Sequence, residues 1–152
     1  MQQEGFCKTM TDIATLHIDF ETRSELDLRE VGLWKYVRHP STDVWCAAVA
    51  IGDEEPGIAT LTDRLWIPPR FVDHVRSGKP VYAHNAPFEL AVWNEIMVKR
   101  YGWPPLAPEQ TFCTMAACYA MGLPGALPSV SFSTDSPSAS AASSSAPGNP
   151  IA

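Results

Sequence analysis

The fold is decided by the stretch Leu16–Thr22, which reads LHIDFET. Its alternation of apolar and polar residues predicts a β-strand with one buried face. Successive strand side chains point to opposite faces, so Asp19 and Glu21 share one face while Ile18 and Phe20 take the other. Two carboxylates at close range resist joint ionisation. Because Mg²⁺ and Mn²⁺ prefer carboxylate oxygen, the pair indicates a metal site; two exposed strand acids are the simpler alternative.

A second motif lies at residues 80–89, PVYAHNAPFE. Val81–Ala83 is predicted to be a short apolar strand, and a helix should follow, with Asn85 as its N-cap and a proline in its first turn. Glu89 then falls in the first or second turn, close to the strand end. There it could join the first pair of acids, or simply provide favourable charge at a helix N-terminus.

These two motifs resemble those of the DEDD 3′–5′ exonucleases, a superfamily with a ribonuclease H-like fold. Asp19-Phe20-Glu21 is similar to the first motif, Asp-x-Glu, and residues 85–89 are similar to the second, Asn-x-x-(Tyr/Phe)-Asp, with Glu in place of Asp. The amino-acid sequence of residues 19–24, 32–42 and 83–89 resembles the exonuclease part of phage and prophage DNA polymerases of the polymerase I type. The resemblance covers about residues 15–127.

The resemblance implies an α/β fold, with a ribonuclease H-like mixed sheet flanked by helices, and two Mg²⁺ or Mn²⁺ ions as cofactors. In the family's terms Asp19 would bridge both ions. Glu21 would hold the first ion and approach the terminal 3′-hydroxyl. Glu89 would bind the second ion directly or through water. The implied catalytic and metal-binding residues are therefore these three acids, and the implied chemistry is two-metal hydrolysis of a 3′-terminal phosphodiester.

The implied partner is the 3′ end of a single-stranded nucleic acid, with DNA expected, and the intact ancestor would also carry a polymerase module. Thr22, Asn85 and Phe88 are the candidates for substrate contacts. Helix capping by Asn85 and core packing by Phe88 are the simpler interpretations of those two residues. His17 and His84 are interpreted as core or rim histidines with satisfied hydrogen bonds rather than as catalytic bases.

A third family motif, Tyr-x-x-x-Asp or His-x-x-x-Asp, would supply the last metal ligand and position the attacking water. This sequence has no histidine after His84 and a single acid, Asp135, after Glu109. No Tyr or His lies four residues before Asp135. We therefore expect a truncated exonuclease domain that is inactive alone. A non-catalytic nucleic-acid-binding remnant and a pseudogene product without a function of its own are the alternatives.

Composition divides the chain into three expected parts. Residues 1–14 are expected to be a flexible N-terminus, and residues 15–127 to be the partial exonuclease domain. Residues 128–152 are mostly Ser, Ala and Pro, which cannot bury enough apolar area to offset chain entropy, so a disordered tail is expected. This tail begins where the family would continue toward its third motif, which suggests a frameshift or truncation; a Ser/Pro linker is the alternative.

The formal net charge of −6 argues against broad electrostatic binding of duplex DNA. Three cations near the first motif, Arg23, Lys35 and Arg38, could face phosphate or could be ordinary solvated charges. No stretch approaches the roughly twenty apolar residues of a membrane span. Cys46 and Cys113 lie in apolar stretches, which favours buried free thiols and a cytoplasmic location.

The remaining elements follow from periodicity and from Pro and Gly signals. Residues 26–37 suit a short helix or turn, and residues 111–121 suit a strand running into a helix. Further strands are predicted at 44–51 and 57–61, and further helices at 68–75 and 87–101.

Overall fold

Strand β1, Leu16–Arg23, forms the centre of a five-stranded sheet. In this computed structural model, which describes residues 14–126, its side chains alternate between buried and exposed as far as Glu21. Leu16, Ile18 and Phe20 are buried, whereas Asp19 and Glu21 are exposed on the opposite face. The predicted strand is therefore confirmed, together with the division of its two faces.

The other strands of the sheet are β2, Asp43–Ile51; β3, Gly57–Thr60; β4, Val81–Ala83; and β5, Thr111–Cys113. The sheet is mixed, with the order β3-β2-β1-β4-β5. Strands β1, β2 and β3 form an antiparallel meander, whereas β4 pairs in parallel with β1 and β5 pairs in parallel with β4. A meander followed by alternating helices and strands, with helices flanking the sheet, is the α/β arrangement expected of the ribonuclease H-like fold, and this prediction is confirmed.

Six short α-helices accompany the sheet in the described part of the chain. The stretch that the sequence left open as helix or turn forms two helices, separated by Gly32 at a φ of 75°. The helices are α1, Leu28–Val31; α2, Leu33–Arg38; α3, Pro69–Arg76; α4, Ala86–Val92; α5, Val98–Tyr101; and α6, Thr114–Ala120. Short 3₁₀ turns occupy Leu61–Asp63 and Pro108–Gln110.

A π-helical segment, Trp93–Met97, joins α4 to α5. The predicted helix over residues 87–101 is thus present as one continuous helical rod, but it is not α-helical throughout. A π turn contains more residues than an α turn, so it shifts which positions face the core. This shift explains why the apolar residues of the segment follow the helical period only in part.

One face of the sheet, here called the packed face, buries its side chains in a core that also contains residues of α2, α3 and the continuous helical segment from α4 to α5. Phe20 on this face contacts two buried tryptophans, with ring centroids 6.2 Å from Trp93 and 5.9 Å from Trp103. Each indole N–H donates to a backbone carbonyl, Trp93 to Pro104 at 2.8 Å and Trp103 to Leu65 at 2.9 Å. Aromatic rings with satisfied polar atoms therefore fill the centre of the core.

The opposite face, here called the open face, is more polar and more exposed. Register pairs across the strands place small, polar and aromatic residues on it together: His17, Asp19, Glu21, Cys46, Ala48, Ile58, Tyr82 and Phe112. Ile58 is 67% exposed and Phe112 is 44% exposed. Tyr82 stacks on Phe112 at 5.1 Å and contacts the His17 ring at 5.6 Å, so a row of rings crosses three strands.

The prediction of buried cysteines is wrong for two residues. Cys46 and Cys113 are free thiols as expected, but both are only half-buried. Cys46 lies on the open face opposite Glu21. Cys113 ends β5 and accepts weak hydrogen bonds from the Ala86 and Ala116 amides at 3.4 Å.

The predicted flexible N-terminus, apart from Ala14, and the predicted tail at 128–152 lie outside the described residues. No helix within residues 14–126 combines the length and the apolar character required to cross a membrane.

Candidate functional site

The candidate site lies where β1 separates from β4. The ladder between these strands pairs only Leu16 with Val81 and His17 with Tyr82. Farther along β1 the Phe20 amide donates instead to Glu89 Oε2, at 3.2 Å. A carboxylate from the first turn of α4 thus takes the place of a neighbouring strand, and it closes this edge of β1.

Glu89 is an unusual carboxyl group because it is only 5% exposed. Burial raises its pKa, the nearby Asp19 charge raises it further, and together they bring it to about 8. The Phe20 amide opposes this rise because it stabilises the charged form, while Glu21 adds a smaller repulsion. The structure therefore places Glu89 close enough to Asp19 and Glu21 for their charges to raise its pKa.

Asp19 and Glu21 themselves remain exposed on the open face. As the side chains stand, no group of three or more His, Cys, Asp or Glu residues within 14–126 is arranged to hold a metal ion. The donor set is nonetheless one that suits Mg²⁺ or Mn²⁺, since all three groups are carboxylates. Exposed side chains on a rigid strand can change rotamer at low cost, whereas the buried Glu89 is anchored by its hydrogen bond.

Asn85 occupies the N-cap position of α4, but its predicted side-chain cap is absent. Its backbone has φ 61° and ψ 49°, in the left-handed region. A capping side chain normally requires an extended backbone to reach the first helical amides, and this conformation does not provide one. The Asn85 carbonyl instead accepts from the Phe88 amide at 2.9 Å, and the Asn85 side chain remains exposed.

Phe88 and Thr22 are joined through a residue that sequence analysis did not select. Phe88 is partly buried against the core, as its packing interpretation predicted, and its ring lies 6.5 Å from the Tyr36 ring. The Tyr36 hydroxyl hydrogen-bonds the Thr22 hydroxyl at 2.9 Å. Tyr36 thereby ties α2 to the end of β1 and to α4. No sequence signal could have identified this role, because it depends on two contacts distant in the chain.

Both histidines considered from the sequence have hydrogen-bond partners. His84 is half-buried and contacts the Thr114 hydroxyl at 3.1 Å and the Gly125 carbonyl at 2.6 Å. His17 is exposed and contacts the Thr15 hydroxyl at 2.9 Å. Their interpretation as satisfied core or rim residues is confirmed.

A polar cleft of about 410 Å³ lies at the carboxyl end of β1. The chain leaves β1 at Arg23 and returns to β2 at Asp43, and residues from both ends of this connection line the cleft. The residues that line it are Arg23, Ser24, Glu25, Pro40, Ser41 and Asp43.

No family model and no solved structure matches the chain. Among curated proteins it is similar to a DNA polymerase of Bacillus phage SP02, with 32% identity over 117 residues. The aligned part is 76% of this chain but 17% of the phage protein, so the chain spans about a sixth of that relative's length. Together with the α/β fold, this similarity supports a domain related to part of a phage DNA polymerase.

Proposed function

We propose that this chain is a 3′–5′ exonuclease-type domain of phage polymerase origin, in which Asp19, Glu21 and Glu89 are the ligands of Mg²⁺ or Mn²⁺. The observation that carries the proposal is the buried Glu89 carboxyl, which lies at the edge of β1 within the electrostatic reach of Asp19 and Glu21. Burying an acid among other acids is unfavourable. A divalent cation would supply the missing positive charge.

The three acids differ in what they contribute. Glu89 is held in place by the Phe20 amide, so it would act as the fixed ligand. Asp19 and Glu21 project from a strand whose backbone pairs with β2, so only their side chains need to move. When bound, divalent ions of this kind activate water and stabilise the leaving 3′ oxygen.

The proposed substrate is the 3′ end of a single-stranded nucleic acid, with DNA as the expected polymer. The printed name of the phage relative supports a connection with DNA synthesis, and the two sequence motifs support an exonuclease role within it. Thr22 and Asn85 lie beside the acids in the chain and remain the proposed contacts to substrate, whereas Phe88 serves mainly to pack α4.

A second candidate function is nucleic-acid binding without turnover. The sequence favours it at one point, because the chain contains no Tyr-x-x-x-Asp or His-x-x-x-Asp motif after Thr111. Hydrolysis requires the attacking water to be aligned, and small misplacements of reacting groups are costly in rate. We therefore propose that the polypeptide by itself hydrolyses 3′ ends negligibly.

Titration with Mn²⁺, followed by the water-proton relaxation of the bound ion, tests the metal site. We expect weak binding that Asp19→Ala largely removes, because a first ligand is lost. Asp53→Ala is the matched control, since Asp53 is an exposed acid in the turn between β2 and β3. Equal losses of Mn²⁺ binding from both substitutions would mean that the ion binds only diffuse surface charge, and would refute the site.

The same preparations distinguish the two candidate functions in an assay for release of labelled 3′ nucleotides. We expect the wild-type chain to be no faster than the Asp19→Ala, Glu21→Ala double variant, which also controls for contaminating nucleases. Clear release that depends on Asp19 would show turnover and exclude the purely binding role.

A further inference from the structure

Helix α2 presents an aromatic and basic surface on an otherwise acidic chain. Trp34 is 56% exposed, and the Arg38 guanidinium lies over its ring at 5.0 Å from the centroid. Arg38 Nε also donates to Glu95 at 3.3 Å, a carboxylate that additionally binds Lys99 at 2.6 Å. One side of the indole therefore contacts Arg38, which is held by the ion pair with Glu95, while more than half of the Trp34 surface remains exposed to solvent.

This surface is connected to the candidate site by the same helix. Trp34 and Tyr36 lie two residues apart on α2, and the buried Tyr36 bonds Thr22 at the end of β1. Tyr36 also contacts the Phe88 ring on α4. A ligand stacked on Trp34 would thus rest on an element that is fixed against both carboxylate motifs.

The polar cleft begins where α2 ends, after His39. Its walls are fixed by hydroxyl contacts, since the Ser24 hydroxyl bonds Thr42 at 2.7 Å and the Ser41 hydroxyl accepts from the Glu25 amide at 3.1 Å. Arg23, which lines the cleft, is exposed and forms no ion pair with any residue in the described range 14–126. A polar cleft that contains a guanidinium without an ion-pair partner among the described residues is a suitable binding site for a phosphate oxygen.

Two acids also line this cleft, and they differ in availability. The Asp43 carboxylate already accepts two contacts from the Tyr101 hydroxyl at 2.9 Å and lies 3.9 Å from Arg100. Glu25 has no comparable partner within the described residues, so its charge would oppose an anion beside Arg23. This arrangement predicts that removal of the Glu25 charge strengthens anion binding.

We propose that Trp34 and the Arg23 cleft form a binding surface for an unpaired nucleic-acid strand, with a base stacked on Trp34 and a backbone phosphate on Arg23. Bases stack on exposed aromatic rings without regard to sequence, and a neighbouring cation adds to the attraction. The proposal adds a strand-binding surface to the proposed function. It rests on that function only for the claim that the 3′ end of the strand reaches the three acids. It does not require a metal ion.

The test is fluorescence anisotropy of a labelled oligothymidylate of about ten nucleotides, a length within the usual site size of such surfaces, with the full chain in EDTA. We expect Trp34→Ala to weaken binding roughly tenfold and Trp34→Phe to restore most of it. Trp66→Ala is the control, since Trp66 is 64% exposed but lies between β3 and α3. The folding of each variant is checked by far-ultraviolet circular dichroism.

Arg23 and Glu25 are tested by the salt dependence of the same binding. Arg23→Gln should weaken binding and lower the slope of log K against log salt by about 0.7, the value for one phosphate on a single strand. Glu25→Gln should strengthen binding. Arg76→Gln, the same charge change on α3, should leave the slope unchanged.

Failure to bind the oligonucleotide would overturn the proposal, as would equal affinities for the wild type, Trp34→Ala and Trp66→Ala. In that case the exposed Trp34 would instead mark a contact with another protein. Because EDTA removes metal ions, these results are independent of the Mn²⁺ titration. Loss of the metal site and loss of the strand-binding surface can therefore be told apart.

Discussion

The two faces of the central sheet are built from the same strands but differ in burial and polarity. The packed face places Ile18 and Phe20 under helices, and its tryptophans satisfy every indole N–H described there. The open face carries Asp19 and Glu21 together with an exposed row of rings. Burial on the packed face therefore provides most of the stability, while the open face leaves charged groups available for chemistry.

Glu89 departs from this division because it is an acid within the packed part of the molecule. It reaches the edge of β1 from α4 and binds a backbone amide rather than a cation. Its raised pKa is the electrostatic consequence of that position. A folded chain that retains such a group gives up stability at a position where the charges of Asp19 and Glu21 also act on it.

The sharpest contrast should come from removing one phenylalanine from each face. Phe20→Ala should cost about 3–5 kcal/mol of unfolding free energy, because it leaves a cavity between Trp93 and Trp103. Phe112→Ala should cost less than about 1 kcal/mol, since the ring is 44% exposed. Urea unfolding followed by tryptophan fluorescence measures both; similar losses would mean that the open face is not a separate, weakly packed region.

The next effect concerns pH and Glu89, in metal-free protein. The folded-state pKa of about 8 exceeds the ordinary value of 4.5, so the folded chain binds the extra proton between these limits. Stability should therefore fall as pH rises from about 4.5 to about 8, and then level off. The full loss is at most roughly 4–5 kcal/mol, at about 1.4 kcal/mol for each unit of pKa shift.

Glu89→Gln keeps an acceptor for the Phe20 amide but cannot ionise, so it should remove this fall. In EDTA the variant should match the wild type near pH 5 and exceed it by a few kcal/mol at pH 8, on the basis of the same linkage. Parallel urea unfolding curves across this range provide the measurement. An identical pH dependence in both proteins would show that Glu89 is well solvated or differently paired.

A small effect is also expected for the row of rings on the open face. Tyr82→Ala removes a ring that stacks on Phe112 and contacts His17, and should cost about 1 kcal/mol. A double-mutant cycle with Phe112→Ala should give a coupling of about 0.5–1.5 kcal/mol. Strict additivity would mean that the rings are neighbours without a stabilising interaction.

The strands were predictable because alternation and short apolar runs survive in the sequence. The helix from Ala86 to Tyr101 was predictable in extent, but its π segment Trp93–Met97 was not predicted. The side-chain cap predicted at Asn85 is absent. The turn from β4 into α4 imposes a left-handed backbone on Asn85 that its residue type only permits.

The sequence by itself determined which residues share a strand face and that two acidic motifs exist, because side-chain alternation and motif spacing are local properties. Tertiary structure alone decided that Glu89 lies beside the Phe20 amide, that Tyr36 joins α2 to β1, and that Trp34 stays exposed. The physical reason is that burial, and with it the pKa of Glu89, depends on contacts between residues far apart in the chain.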